Sequence, residues 1–361
     1  MKNLILHVGP GKCGSSTIQH FFATQKSPCI QSTQYSLLNP LKIKELNSEN
    51  PSKSILASFF EQLSKKINGC DTLILSHEFL FQNPYAVKNI CSLAKDNVTE
   101  ITIIGYSRRQ SDFLVSAYSQ WFFRSLDRIR EVNSVLDKYE LDAILFTGLE
   151  RQLIASIAND FYSARQLSGY SILNWYNSYN NIQQLTHESD VKIKCGVLPN
   201  KEFNINLIED FCKKAKLTLH HKIDNTILKT INVSFNEDVI EAINNAVNFG
   251  LEVPGPHDSN HVIQLLSSKI TPTIKDSSEF SFNLRSYIDS YYLDSNIQLC
   301  NQYDLNETYF KSSRSFSKVE IIDIIINEAH QRTLNKSEII KNYQMLSAKM
   351  IELCIELMKD D

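Results

Sequence analysis

Within nine residues near the start of the chain, Gly9-Pro10-Gly11-Lys12-Cys13-Gly14-Ser15-Ser16-Thr17 gathers three glycines, one lysine and three hydroxyl side chains. Backbone N–H groups of a glycine-rich turn that opens a helix, added to the positive end of the helix dipole, make a site for an anion, and phosphate is its natural occupant. Lys12 supplies a full positive charge in mid-loop. The serine and threonine hydroxyls can cap the helix or donate to a phosphate oxygen. A strand-to-helix turn that uses glycine only for backbone freedom is the plainer alternative.

A second cluster follows the apolar run Ile101-Thr102-Ile103-Ile104. Arg108 and Arg109 stand where a helix should begin, and a cation there meets the unfavourable end of the dipole, so an anionic partner accounts for it better than solvent does. A third, His77-Glu78, follows Leu73-Ile74-Leu75-Ser76, and the carboxyl edge of parallel strands is where open α/β sheets bind ligands. Glu78 is the favoured general base and His77 the second candidate. A carboxylate near its ordinary pKa of about 4.3 is a weak base, so Glu78 needs partial burial to raise it; a capping or surface carboxylate is the alternative. His7, inside the first apolar run, reads as a satisfied core histidine.

Two known loop patterns bear on the first cluster. The nucleotide triphosphatase loop is G-x-x-x-x-G-K-[ST]; Gly9 and Gly14 keep its glycine spacing, but Ser15 stands where its lysine belongs. A mid-loop lysine followed by x-Gly-[ST]-[ST] instead resembles the sulfotransferase signature P-K-x-G-[ST]-[ST], which holds the 5′-phosphosulfate of 3′-phosphoadenosine 5′-phosphosulfate (PAPS). Pro10 lies one place early, with Gly11 between it and Lys12. Sulfotransferases also bind the 3′-phosphate of PAPS with an arginine at a strand end and a serine eight residues on. Arg108 and Ser116 have that spacing, and Asp112 and Tyr118 match two associated positions.

The resemblance implies an α/β fold of P-loop-like type, with a central parallel sheet flanked by helices and a largely helical C-terminal part. It implies PAPS as co-substrate with no metal, bound by Gly11, Lys12, Cys13, Gly14, Ser15, Ser16, Thr17, Arg108 and Ser116. Lys12 would meet charge on the leaving oxygen. Glutamate serves as base in many glycan and tyrosyl-protein sulfotransferases and histidine in cytosolic small-molecule ones; Leu75-Ser76-His77-Glu78 is closer to the first group. The acceptor implied is a carbohydrate hydroxyl, on a bacterial surface glycan or its precursor. Asn232-Val233-Ser234 and Asp294-Ser295-Asn296-Ile297 resemble pieces of large bacterial sulfotransferase-like proteins and assign no site. The rivals are a P-loop kinase or other phosphotransferase, and a non-catalytic protein that keeps the nucleotide pocket.

The elements that must carry these residues are legible in outline. Strands are expected at 3–8, 71–76, 100–106 and 191–198. Helices are expected after Ser15, at 55–67, from Gln110, at 148–158, at 170–185 and from about Phe203 to Cys212. The stretch 26–53, rich in Ser, Asn, Gln and Pro, reads as a long surface connection, 133 to about 162 as part of an acceptor-binding wall, and 133–168 with the C-terminal helices as the part that decides specificity. Beyond Leu217 helices dominate, at 237–249, 260–268, 280–303, 319–328 and 337–358. The expected division is an α/β PAPS-binding core at 1–217 and a helical extension packed on it at 218–361.

Composition narrows the classes. The 361 residues are 42% hydrophobic and 21% charged, ordinary for a globular chain, and the net charge of −3 gives no basic surface for nucleic acid. The eight cysteines are scattered singly, with no C-x-x-C pair, so free thiols are expected. No stretch reaches the roughly 18 apolar residues of a membrane helix, and a cytoplasmic location is expected.

Overall fold

In a computed structural model the described residues are 2–24, 32–158, 173–198, 206–218, 235–248, 256–269 and 278–357. The chain opens with β1 (Asn3–His7), α1 (Ser15–Thr24), β2 (Thr33–Leu37), α2 (Pro40–Leu46), α3 (Lys53–Asn68), β3 (Thr72–Ser76), α4 (Pro84–Ala94) and β4 (Glu100–Ser107). Next come α5 (Gln110–Tyr118), α6 (Leu126–Lys138), α7 (Gly148–Ala158), α8 (Trp175–Thr186), β5 (Val191–Val197) and α9 (Leu207–Ala215). The described remainder is helical: α10 (Glu237–Asn248), α11 (Pro256–Lys269), α12 (Glu279–Tyr291), α13 (Leu293–Tyr303), α14 (Lys318–Leu334) and α15 (Lys336–Leu357). None of the described helices is long and apolar enough to cross a membrane.

The chain divides into two compact units. The first comprises Met1–Arg109, Ile172–Ile231 and Asp294–Phe310; the second comprises Gln110–Ser171, Asn232–Leu293 and Lys311–Asp361.

The first unit is an α/β layer structure built on one parallel sheet in the order β2-β3-β1-β4-β5. Its three middle strands are apolar because helices must cover both faces of a parallel sheet: Leu4, Ile5 and Leu6, Leu73 to Leu75, and Ile103 and Ile104 are all buried. β1 pairs with β3 on one side and β4 on the other, which sets His7 opposite both Ser76 and Ile104. The strand order decides where a ligand can sit. From β1 the chain crosses to β2 on one side, and from β4 it goes on to β5 on the other, so the connections diverge above the carboxyl ends of β1 and β4. That divergence is the topological switch point of an open parallel sheet.

Two expectations are corrected here. The stretch 26–53 is not one connection: it contains the edge strand β2 and the short helix α2. An edge strand is half solvated, and the alternation of Thr33, Gln34 and Ser36 with Tyr35 and Leu37 lowers its hydropathy to that of a loop. The single helix expected over 280–303 is two, α12 and α13, and the break at Tyr292 falls beside the boundary between the units.

The second unit is helical and is organised around buried ionic groups. Arg332 on α14 holds Glu150 on α7 in a two-pronged pair, Nη1 to Oε2 at 2.7 Å and Nη2 to Oε1 at 2.9 Å, with its guanidinium over the rings of Phe146 and Phe280. Glu241 on α10 accepts from the Gly148 N–H and from the Tyr118 hydroxyl. Such groups are tolerated in a core only when every lone pair finds a donor. Asp112, half-buried at the start of α5, is paired with Arg285 at 2.8 Å. The stretches Asn232-Val233-Ser234, the turn at Asn200 and Phe203 lie outside the described residues.

Candidate anion site at the carboxyl ends of β1, β3 and β4

β1 delivers the chain to the switch point, and the Val8 N–H bonds to the Ile104 carbonyl at 2.9 Å before the loop departs. Lys12 and Gly14 both have positive φ, 66° and 89°. These two left-handed residues, with Cys13 between them, fold the loop sharply into α1. Gly14 has a second reason to be glycine: a Cβ there would lie 2.5 Å from Leu207 Cδ2 and 3.3 Å from Leu198 Cδ1. The Thr17 and Ile18 amides both bond to the Gly14 carbonyl and start the helix. The earlier amides of the first turn face out of the helix N-terminus, where an anion is favoured.

The loop side chains divide by depth. Cys13 is fully buried, its N–H is bonded to the Pro10 carbonyl at 3.3 Å, and burial pushes its thiol well above the ordinary range. It packs the loop from below. Ser15 is also buried, its hydroxyl turned back on the carbonyls of Pro10 and Gly9 at 3.3 and 3.5 Å. Ser16 is exposed, and Gly11, Lys12, Gly14 and Thr17 are half-buried. Of the three hydroxyl residues, Ser16 is the most exposed and Ser15 the least.

Arg108 leaves the end of β4 and returns to the loop, its Nη1 donating to the Lys12 carbonyl at 3.4 Å. Its own carbonyl accepts from the indole N–H of Trp175 on α8 at 2.7 Å, which fixes the backbone from which the side chain springs. The Cys13 thiol lies in the field of the same guanidinium. The structure therefore brings Arg108 and the loop together. Ser116 stands half-buried on α5 in the second unit, and its place in a phosphate site rests on sequence spacing alone.

Glu78 begins a short 3-10 turn, Glu78–Gln82, just past β3. It is half-buried, and burial raises its carboxyl above the ordinary carboxylate range while the Lys12 ammonium pulls it back. The loop cation and the candidate base thus act on each other directly. His77 is differently committed. Its Nδ1 accepts the Phe79 N–H at 3.0 Å to cap the turn, which leaves the proton on Nε2, and burial lowers its pKa. A ring whose acceptor nitrogen is spent and whose other nitrogen is protonated has no lone pair to offer a substrate.

The floor of the site is polar, which hydropathy alone does not suggest. His7 Nδ1 and Ser76 Oγ are 2.8 Å apart, and Gln19 on α1 donates to the same Oγ at 3.3 Å. The reading of His7 as a satisfied core histidine is half corrected: its Nε2 is buried and has no hydrogen-bond partner among the described residues. The only signal in the sequence was a histidine among aliphatic strand residues.

An Arg and a Lys brought to the loop that opens α1, with a carboxylate in the field of the lysine, are the groups an anion site with an adjacent base would need. Comparison with known proteins adds little to that. No protein-family model matches the chain, and no curated protein matches it. Among solved structures the chain is similar to a sulfotransferase from Alicyclobacillus acidocaldarius, at 10% identity over 86% of this chain and 98% of that one, with a TM-score of 0.35.

Proposed function

We propose that the chain is a PAPS-dependent sulfotransferase that transfers a sulfuryl group to an acceptor hydroxyl. The observation that carries the reading is the meeting of three strand ends in one unit. Lys12 follows β1, Glu78 follows β3 within reach of the Lys12 charge, and Arg108 follows β4 with its guanidinium on the Lys12 carbonyl. That order matches the two sulfotransferase motifs, and the triphosphatase lysine has no counterpart in the loop.

PAPS supplies a sulfuryl group on a phosphate oxygen. In the reaction the acceptor oxygen forms a bond to sulfur, the bond from sulfur to the bridging oxygen breaks, and that oxygen keeps the electron pair in 3′,5′-adenosine bisphosphate. Lys12, with the amides of the first turn of α1, stabilises the charge growing on the bridging oxygen. Glu78 takes the acceptor proton, and its raised pKa brings it nearer the working pH of a general base. Arg108 is assigned to the 3′-phosphate by the motif, as a planar fork suited to two phosphate oxygens; Ser116 is assigned to it by spacing. The carbohydrate nature of the acceptor and a bacterial setting come from the family resemblance, and a cytoplasmic location from the absence of a long apolar stretch in the sequence.

The direct test is transfer of label from [35S]PAPS to a panel of soluble and lipid-linked glycans. Labelled glycan with equimolar bisphosphate is expected. Label released only as free sulfate across the panel would reject the glycan acceptor, and PAPS left intact would reject the donor.

A further inference from the structure

We infer that His7 is a positioning residue for the anion loop, acting from beneath it through its Nε2 on Ser15. The inference rests on the assignment of that loop to an anion, though not on which nucleotide carries it.

Packing does not explain this side chain. The position is the last of an otherwise aliphatic strand and is 1% exposed, with the Phe211 ring edge-on at 5.5 Å. A leucine would fill the space without polar atoms. The imidazole is instead held neutral by burial, its pKa lowered to about 3. Its Nδ1 is used on Ser76, and its Nε2 is left without a partner among the described residues. A buried polar atom left bare is destabilising, and such departures are found where a site requires them.

The bare nitrogen points at the loop. The position a Gly9 Cβ would take lies 3.6 Å from His7 Nε2 and 3.6 Å from Ser15 Oγ, so both atoms border the same small space under Gly9. The Ser15 hydroxyl is poorly engaged, with its two acceptors at 3.3 and 3.5 Å, the long end of hydrogen bonding. A modest shift of the loop onto an anion gives both atoms one partner, each other: Nε2–H donates to Ser15 Oγ, while the Ser76 hydroxyl donates to Nδ1. The same imidazole ties the loop to the strand that carries Glu78, because Ser76 closes β3 and the His77 N–H bonds to the His7 carbonyl at 3.3 Å. His7 would then set the height of the Lys12 loop relative to Glu78 without touching substrate.

The experiment compares His7→Asn with His7→Gln. Asparagine keeps a polar atom near Nδ1 and deletes Nε2; glutamine places its amide near Nε2. Two readouts are taken on the full chain: amide hydrogen exchange over Val8–Ser15 at saturating inorganic pyrophosphate, and calorimetric affinity for the same pyrophosphate. We expect His7→Asn to speed exchange in the loop and weaken pyrophosphate about tenfold, His7→Gln to restore both to within threefold, and His7→Asn to lose little more when Ser15→Ala is added. Unchanged loop exchange in His7→Asn, or equal losses in the two variants, would overturn the inference. Since pyrophosphate carries no nucleoside, a wild type that binds pyrophosphate and not the bisphosphate would defeat the nucleotide assignment and leave this result standing on its own.

Discussion

Replacing Glu78 by glutamine is expected to lower turnover by about 10²–10⁴-fold, the usual contribution of a positioned general base, with little change in nucleotide affinity. The carboxyl follows the strand next to the one that feeds the phosphate loop, and it lies in the field of Lys12. Its pKa is raised by burial and only partly lowered by that lysine. A base must be ionised to act, so the rate should rise with pH through the raised Glu78 value and level off above it. The sign for stability is opposite: a carboxyl whose folded pKa is raised contributes most below its unfolded pKa, and that contribution is lost as pH rises through the folded value. Glu78→Gln should therefore be neutral to mildly stabilising at pH 7 while it loses activity. Thermal melts and pH–rate profiles on the same samples separate the two effects. Turnover unchanged in Glu78→Gln rejects this residue as the base.

Lys12→Ala is expected to cost about 10²–10³-fold in turnover, the scale seen when one preorganised donor to a developing oxyanion is removed. The residue has φ of 66°, so alanine keeps a strained backbone and the loop also loses some rigidity. Arginine at the same site retains the charge but widens the head group, and should recover binding better than rate. Because the Lys12 charge also lowers the Glu78 pKa, Lys12→Ala should move the pH–rate profile to higher pH. A large loss of rate with no such movement would separate the two residues and weaken the case for a shared centre.

The parallel α/β class of the fold, and the placing of the candidate residues just past its strands, were legible in the sequence. Loop, arginine and carboxylate each follow a strongly apolar β-branched run, and such runs mark buried parallel strands whose ends are predictable. The strand order was not legible, because nothing local in β1 or β4 states which neighbour it pairs with; only the order β2-β3-β1-β4-β5 makes their two ends the switch point. Edge strand β2 was hidden by its polar alternation. Helix α6 is amphipathic, with Ile129, Val132, Val135 and Leu136 buried and Ser125 as its cap, and is clear in retrospect. Cys13 and Ser15 were read with the phosphate ligands because they stand in the motif, yet their side chains turn inward, and side-chain direction in an irregular loop leaves no periodic trace. Trp175, which holds the Arg108 carbonyl, is a tertiary contact 67 residues away and had no sequence signal.

Calorimetric titration of 3′,5′-adenosine bisphosphate against magnesium ATP, on wild type and on Arg108→Ala, tests the central claim most directly. The bisphosphate should bind in preference to magnesium ATP, and Arg108→Ala should weaken it by about 1.5–3 kcal/mol, the scale of a hydrogen bond to a charged group. Preference for magnesium ATP, or bisphosphate affinity indifferent to Arg108, would contradict the assignment of this loop to PAPS.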